Sequence, residues 1–154
     1  VQGDPGQGKS TLCQALASKW SKEKHGSQCA DRCIHRFDLV IYLTAADLKG
    51  YEDIPSAVRS HLLAKDLKVS LSALDESLRS GDVLFLIDAY DEGCQENPLL
   101  GDLIQGNIFR GATLLLTSRP NYATDMVRCF DQIISIQGFD ANQQSDYVRK
   151  FATH

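Results

Sequence analysis

Eight residues near the start of the chain constrain it more than any other stretch. Gly3-Asp4-Pro5-Gly6-Gln7-Gly8-Lys9-Ser10 fills every fixed position of the pattern G-x-x-x-x-G-K-[ST], and Thr11 opens a strongly helical run. The spacing predicts a phosphate cradle. Gly3, Gly6 and Gly8 can take backbone angles closed to other residues and bring amide N–H groups up to phosphate oxygens, while the helix behind them aims its positive end at the same point. Lys9 can bridge the β- and γ-phosphates, and the Ser10 hydroxyl can join the coordination shell of Mg²⁺, which prefers oxygen ligands and substrate phosphates. The expected nucleotide-binding set is therefore Gly3, Asp4, Pro5, Gly6, Gln7, Gly8, Lys9, Ser10 and Thr11. A loop of this kind joins a buried strand to a helix, yet only Val1 and Gln2 precede Gly3, so the first strand is expected to be truncated.

The rest of the chain supplies the matching parts of an α/β domain. Leu12, Leu16 and Trp20 recur at helical spacing behind the loop, and residues 37–43 read as a strand covered on both faces. Helical patterns follow near residues 55–65 and at 70–80, where Leu71, Leu74 and Leu78 repeat and Ser72 with Asp75 gives an imperfect capping box. Residues 83–87 form an apolar strand run that stops in Asp88-Ala89-Tyr90-Asp91-Glu92. A carboxylate directly after such a strand sits at the edge where phosphates bind, which assigns Asp88 to Mg²⁺. Asp91 and Glu92 lie further out, placed to orient an attacking water or take its proton, with Glu92 preferred. Residues 111–117 repeat the scheme and end in Thr117, Ser118 and Arg119. The Arg119 cation is expected to face the γ-phosphate, with Ser118 or Thr117 helping to place it. Residues 132–136 suggest a further short strand, and Asp140 with Gln143 caps a helix lined by Tyr147, Val148 and Phe151. The fold class predicted is a P-loop NTPase, three layers α/β/α around a mainly parallel sheet.

Composition narrows the function. A hydrophobic content of 43% in 154 residues suits one domain with a real core, residues 1–154. The net charge of −4 gives no general attraction to nucleic acid or an anionic membrane, and apolar runs such as residues 83–87 are far too short for a membrane span. Five cysteines, an odd number at irregular spacing, suit reduced thiols in a cytoplasmic protein. His25, Cys29, Cys33 and His35 crowd one connection but contain no C-x-x-C pair, so they read as a polar loop rather than a zinc site.

Taken together, GDPGQGKST, LFLIDAYDEG, GATLLLTSRP and ISIQGFDANQQSDYVRKF resemble the NACHT module of the STAND class of signalling nucleotidases, over nearly the whole chain. The most specific piece is Asp88-Ala89-Tyr90-Asp91-Glu92, with a small residue after the metal Asp and an acidic pair beyond; Ala89 stands where many members carry Gly. The resemblance implies a multi-domain switch in which ADP holds a closed state and exchange for ATP permits self-association, often in innate immune or cell-death signalling. It also implies that the helical and winged-helix parts of the family, and the domains that meet effector partners, lie outside this chain. Two alternatives stay open: a nucleotide-binding oligomerisation scaffold without significant hydrolysis, and a small-molecule kinase, which would need an Arg-rich lid that the residues after Arg110 do not supply. No N-K-x-D tetrapeptide occurs, which favours adenine over guanine by default.

Overall fold

The computed structural model describes residues 1–24, 34, 36–93 and 97–152. His25, Cys29, Cys33 and His35, read above as a polar loop, and Cys94 lie outside the described residues. The phosphate loop runs straight into helix α1 (Lys9–Lys24), which leads to strand β1 (Leu39–Thr44). A capped 3₁₀ turn follows, then α2 (Ile54–Leu62) and α3 (Leu71–Ser80). Strand β2 (Val83–Asp88) ends in the short helix α4 (Tyr90–Gly93), and α5 (Pro98–Gln105) leads to β3 (Thr113–Leu116). The last helix is α6 (Ala141–Ala152).

The three strands pair in parallel in the order β1-β2-β3, with Leu39 opposite Val83 and Leu84 opposite Thr113. Every residue of β2 is buried, as a central strand covered on both faces requires. The pleat sorts its side chains by parity. Leu84 and Leu86 turn to one side, where Cys13, Leu16 and Trp20 of α1 pack with Val40, Tyr42 and Leu115. Val83, Phe85 and Ile87 turn to the other, against α2, α3 and α5 through Val58, Leu78, Leu100 and Leu103. The result is the predicted three-layer α/β arrangement. The Trp20 indole N–H, bonded to the Phe37 carbonyl at 3.0 Å, stitches α1 to the start of the sheet.

Val1 and Gln2 occupy the strand position before the loop. Gln2 bridges in parallel to Ser118 on one side and to Ser135 on the other, through Gly3 N–H to Ser118 O and through Gln2 N–H to Ile134 O. Residues 132–136, read from sequence as a strand, contribute that single bridge instead of a ladder. The strand that ends in Arg119 thus lies between the Asp88 strand and the loop, so Asp88 is one strand removed from the segment that feeds the cradle.

Local signals set most boundaries. The cap of α3 is Ser70, whose hydroxyl accepts from Ala73 N–H, and not the Ser72–Asp75 pair read from the sequence. Before α6 the expected capping is reciprocal: Asp140 accepts from Gln143 N–H at 2.8 Å and Gln143 accepts from Asp140 N–H at 3.0 Å.

Candidate functional site: a glycine-rich loop, three acids and an arginine

The loop is shaped by its glycines for two different reasons. Gly6 and Gly8 hold φ of 79° and 93°, the left-handed region that a side chain disfavours. Gly3 is a correction to the sequence reading, because its φ is not positive. A Cβ there would lie 2.9 Å from Gln7 Oε1 and 3.0 Å from the Ile136 carbonyl, so the position is small because the neighbouring segment crosses it closely. Gln7 folds back to accept the Asp4 N–H at 2.8 Å, and its own N–H meets Asp4 O at 3.3 Å, which closes the turn through Asp4-Pro5-Gly6. The Lys9 ammonium donates to the Gly3 and Asp4 carbonyls at 2.7 and 3.0 Å, keeping the cation against the loop.

Strand parity puts Asp88 on the side of the sheet that α1 covers. It follows Leu84 and Leu86 on the α1 side of β2, where Cys13 also lies, and Cys13 is one turn along the helix from Ser10. Its carboxylate is almost fully buried, at 4% exposure. Two hydroxyls meet it. Thr117 donates to Oδ1, and Tyr42 donates to Oδ2 at 3.5 Å. The same neighbourhood raises two acids: burial, and then the Asp88 charge, pushes the Cys13 thiol up to about 12. The Tyr42 phenol also sits above its ordinary value, chiefly through burial, with the charge of Asp88 adding to it.

Past Asp88 the chain turns sharply. Ala89 takes φ of 55°, a conformation that suits glycine better, and its N–H is held by Thr117 Oγ1 at 3.0 Å. That turn starts α4 and separates the two outer acids. Asp91 is turned inward, 5% exposed, where Oδ1 accepts the Arg119 backbone N–H at 3.0 Å and Oδ2 meets Arg119 Nε at 2.8 Å. Glu92 is 64% exposed and approaches the Arg119 guanidinium only to 3.7 Å. Arg119 itself is 43% exposed and stays between both acids.

Four residues of this arrangement escaped the sequence reading or were given another task. Thr117, read as a helper of Arg119, instead contacts Asp88 and Ala89. Tyr42 carries no sequence signal beyond its place at the end of β1. Gly93 lets α4 approach the 3₁₀ turn after β1, since a Cβ there would meet backbone atoms of Ala45 and Ala46 at 2.5 Å. Asn97 locks that approach by donating to the Ala45 and Gly93 carbonyls at 3.0 and 3.1 Å while it caps α5. The Asn97-Pro98 pair was a legible helix start, because a side-chain cap followed by proline at the first turn is a local signal.

The profile of the NACHT domain matches residues 1–154, the whole chain. The chain belongs to the NACHT family. Among curated relatives, this NACHT domain is 31% identical to human baculoviral IAP repeat-containing protein 1 over 156 residues, covering all of this chain and 11% of that protein. It is 24% identical to mouse NACHT, LRR and PYD domains-containing protein 1a over 98% of the chain and 14% of that protein. It is 26% identical to NLR family CARD domain-containing protein 4 of Xenopus tropicalis, over 96% of the chain and 14% of that protein. The NACHT domain in hand therefore spans only 11% to 14% of the length of these relatives. Membership implies nucleotide binding, and among the described residues no helix is long and apolar enough to cross a membrane.

Proposed function

We propose that this NACHT domain binds ATP and ADP with Mg²⁺, hydrolyses ATP slowly, and serves as the switch of a longer cytoplasmic protein in innate immune or cell-death signalling. The observation that carries the reading is the buried Asp88 carboxylate on the α1 face of β2, the face that the cradle helix covers. Family membership supports the nucleotide, and the relatives' names supply the setting of LRR, PYD and CARD domains. Self-association and effector contacts belong to the longer protein; neither nucleic acid nor a membrane has a part in this scheme.

The donor chemistry fits Mg²⁺. Ser10 and Asp88 offer hard oxygens, and the Tyr42 contact to Asp88 Oδ2 is long enough to leave that oxygen open to a hydrated ion. Among the described residues no group of three or more His, Cys, Asp or Glu gathers to hold a metal without help, which suits an ion carried largely by phosphates and water. When bound, Mg²⁺ would neutralise charge on the phosphates. The protein's own residues divide the remaining work. Gly3, Asp4, Pro5, Gly6, Gln7, Gly8, Lys9, Ser10 and Thr11 form the cradle, and Lys9 exchanges its carbonyl partners for phosphate oxygens. Glu92, exposed and without a tight partner, orients the attacking water. Asp91 holds Arg119 in place, and Arg119 meets the γ-phosphate.

Calorimetry with ATP and ADP tests this on the wild type, Lys9→Ala and Arg119→Ala. Lys9→Ala is expected to weaken both nucleotides more than tenfold, the loss typical of a desolvated charge pair of about 2–5 kcal/mol. Arg119→Ala is expected to weaken ATP while leaving ADP nearly unchanged. Unchanged binding in Lys9→Ala overturns the cradle, and equal losses for the two nucleotides in Arg119→Ala return that residue to a structural role.

A further inference from the structure

We infer that Thr117 is a positioning residue for the metal-holding carboxylate, and that its one hydroxyl ties the Mg²⁺ site to the acidic helix α4. The inference rests on the reading of Asp88 as the group that holds Mg²⁺.

Thr117 is fully buried just beyond β3, the strand between the Asp88 strand and the loop. All its polar atoms are engaged. The backbone N–H donates to Ile87 O at 2.9 Å, and the backbone carbonyl accepts Tyr90 N–H at 2.9 Å. The hydroxyl donates its single proton to Asp88 Oδ1 and accepts Ala89 N–H at 3.0 Å. Four bonds thus grip the segment 87–90 from one side, across the residue with the least favourable backbone angle in it, Ala89.

A hydroxyl has one proton, so its direction here is determined. Ala89 N–H can only donate, which commits the Thr117 oxygen as acceptor there and its proton to the carboxylate. With Oδ1 held, the carboxylate cannot rotate freely about its Cβ–Cγ bond, and Oδ2 becomes the oxygen presented outward. Tyr42 contributes less, because its contact to Oδ2 is at the long limit of a hydrogen bond. Partners of this kind, one bond removed from the ion, typically change metal affinity by about 10–100-fold when lost. Serine at this position would keep the bond. Valine keeps the shape and buried volume but has no proton to give, and it leaves Ala89 N–H without an acceptor.

The test measures affinity for a fluorescent ADP analogue, in the full-length protein, across a Mg²⁺ titration and in EDTA. The variants are Thr117→Val, Thr117→Ser and Tyr42→Phe, with thermal unfolding run alongside. Thr117→Val is expected to raise the Mg²⁺ concentration at half-effect by about tenfold or more while metal-free affinity stays within about twofold. Thr117→Ser and Tyr42→Phe are expected to stay within about threefold of wild type. A Thr117→Val protein with wild-type Mg²⁺ dependence overturns the inference alone. Equal losses with and without Mg²⁺ also overturn it, since they mark a general defect of the fold. Should Thr117→Val not fold, Thr117→Ser decides: loss of Mg²⁺ dependence in that variant excludes the hydroxyl as the agent, and retention at wild-type level supports it. A wild type that binds nucleotide without any Mg²⁺ effect removes the metal role of Asp88 and the inference with it, whereas a wild type that binds no nucleotide defeats the proposed function itself.

Discussion

Removing the Asp91 carboxylate should destabilise the domain far more than removing that of Glu92, although the two are adjacent and chemically alike. In Asp91→Ala the Arg119 backbone N–H loses its acceptor, at 3.0 Å in the native fold. A polar group left unpaired away from water costs about 1–3 kcal/mol. The ion pair to Arg119 Nε at 2.8 Å adds little, about 0–1 kcal/mol, because the guanidinium is 43% exposed and screened. The sum is about 1–4 kcal/mol. For a domain of this size each kcal/mol moves Tm by about 2–4 °C, so Asp91→Ala should melt about 2–16 °C lower. Glu92→Ala removes only an exposed contact at 3.7 Å and should shift Tm by less than about 3 °C. Scanning calorimetry of both variants gives the comparison, and single-turnover hydrolysis completes it. Glu92→Gln should slow ATP hydrolysis about 10²-fold with the fold and nucleotide binding retained. Equal melting losses in Asp91→Ala and Glu92→Ala would refute the division of labour. So would a folded Asp91→Asn protein that loses more turnover than Glu92→Gln.

Two further outcomes follow from the packing. Gly93→Ala should cost stability near the upper end of about 1–3 kcal/mol, seen as a lower urea midpoint, since the new methyl meets the backbone of Ala45 and Ala46 at 2.5 Å in a region pinned by Asn97; an unchanged midpoint would mean that α4 can slide. The Cys13 thiol, raised to about 12 by burial and then by the Asp88 charge, keeps its full stabilising contribution below the ordinary cysteine range near pH ~8.5 and loses it as pH rises towards its folded value. At pH ~8 iodoacetamide should therefore modify exposed Cys129 long before Cys13, as read by peptide mass spectrometry, and similar rates would place Cys13 outside the core.

The sequence by itself determined what depends on short-range chemistry. Gly6 and Gly8 had to take positive φ for a loop of this length to wrap a phosphate, and both do. The apolar run at residues 83–87 had to be a buried strand, and Asp88 had to fall at its end, because the run stops there at a charged residue with two more acids within four positions. Asp140 and Gln143 announced the start of α6 through a reciprocal bond that spans three residues. Tertiary structure decided whatever depends on segments distant in the chain. Gly3 is glycine because Ile136 crosses it, and Gly93 because Ala45 does, contacts separated by 133 and 48 positions that no local pattern encodes. For the adjacent acids Asp91 and Glu92 the sequence offered only a preference for Glu92 at the water; the helix phase of α4 after the turn at Ala89 sends one inward to Arg119 and the other to solvent. Thr117 read as a helper of Arg119, and its bond to Asp88 exists because β3 lies in register beside β2. Backbone propensity and spacing act within a few residues, whereas the partner of a buried hydroxyl or carboxylate is chosen by strand order, which is set only when the whole sheet assembles.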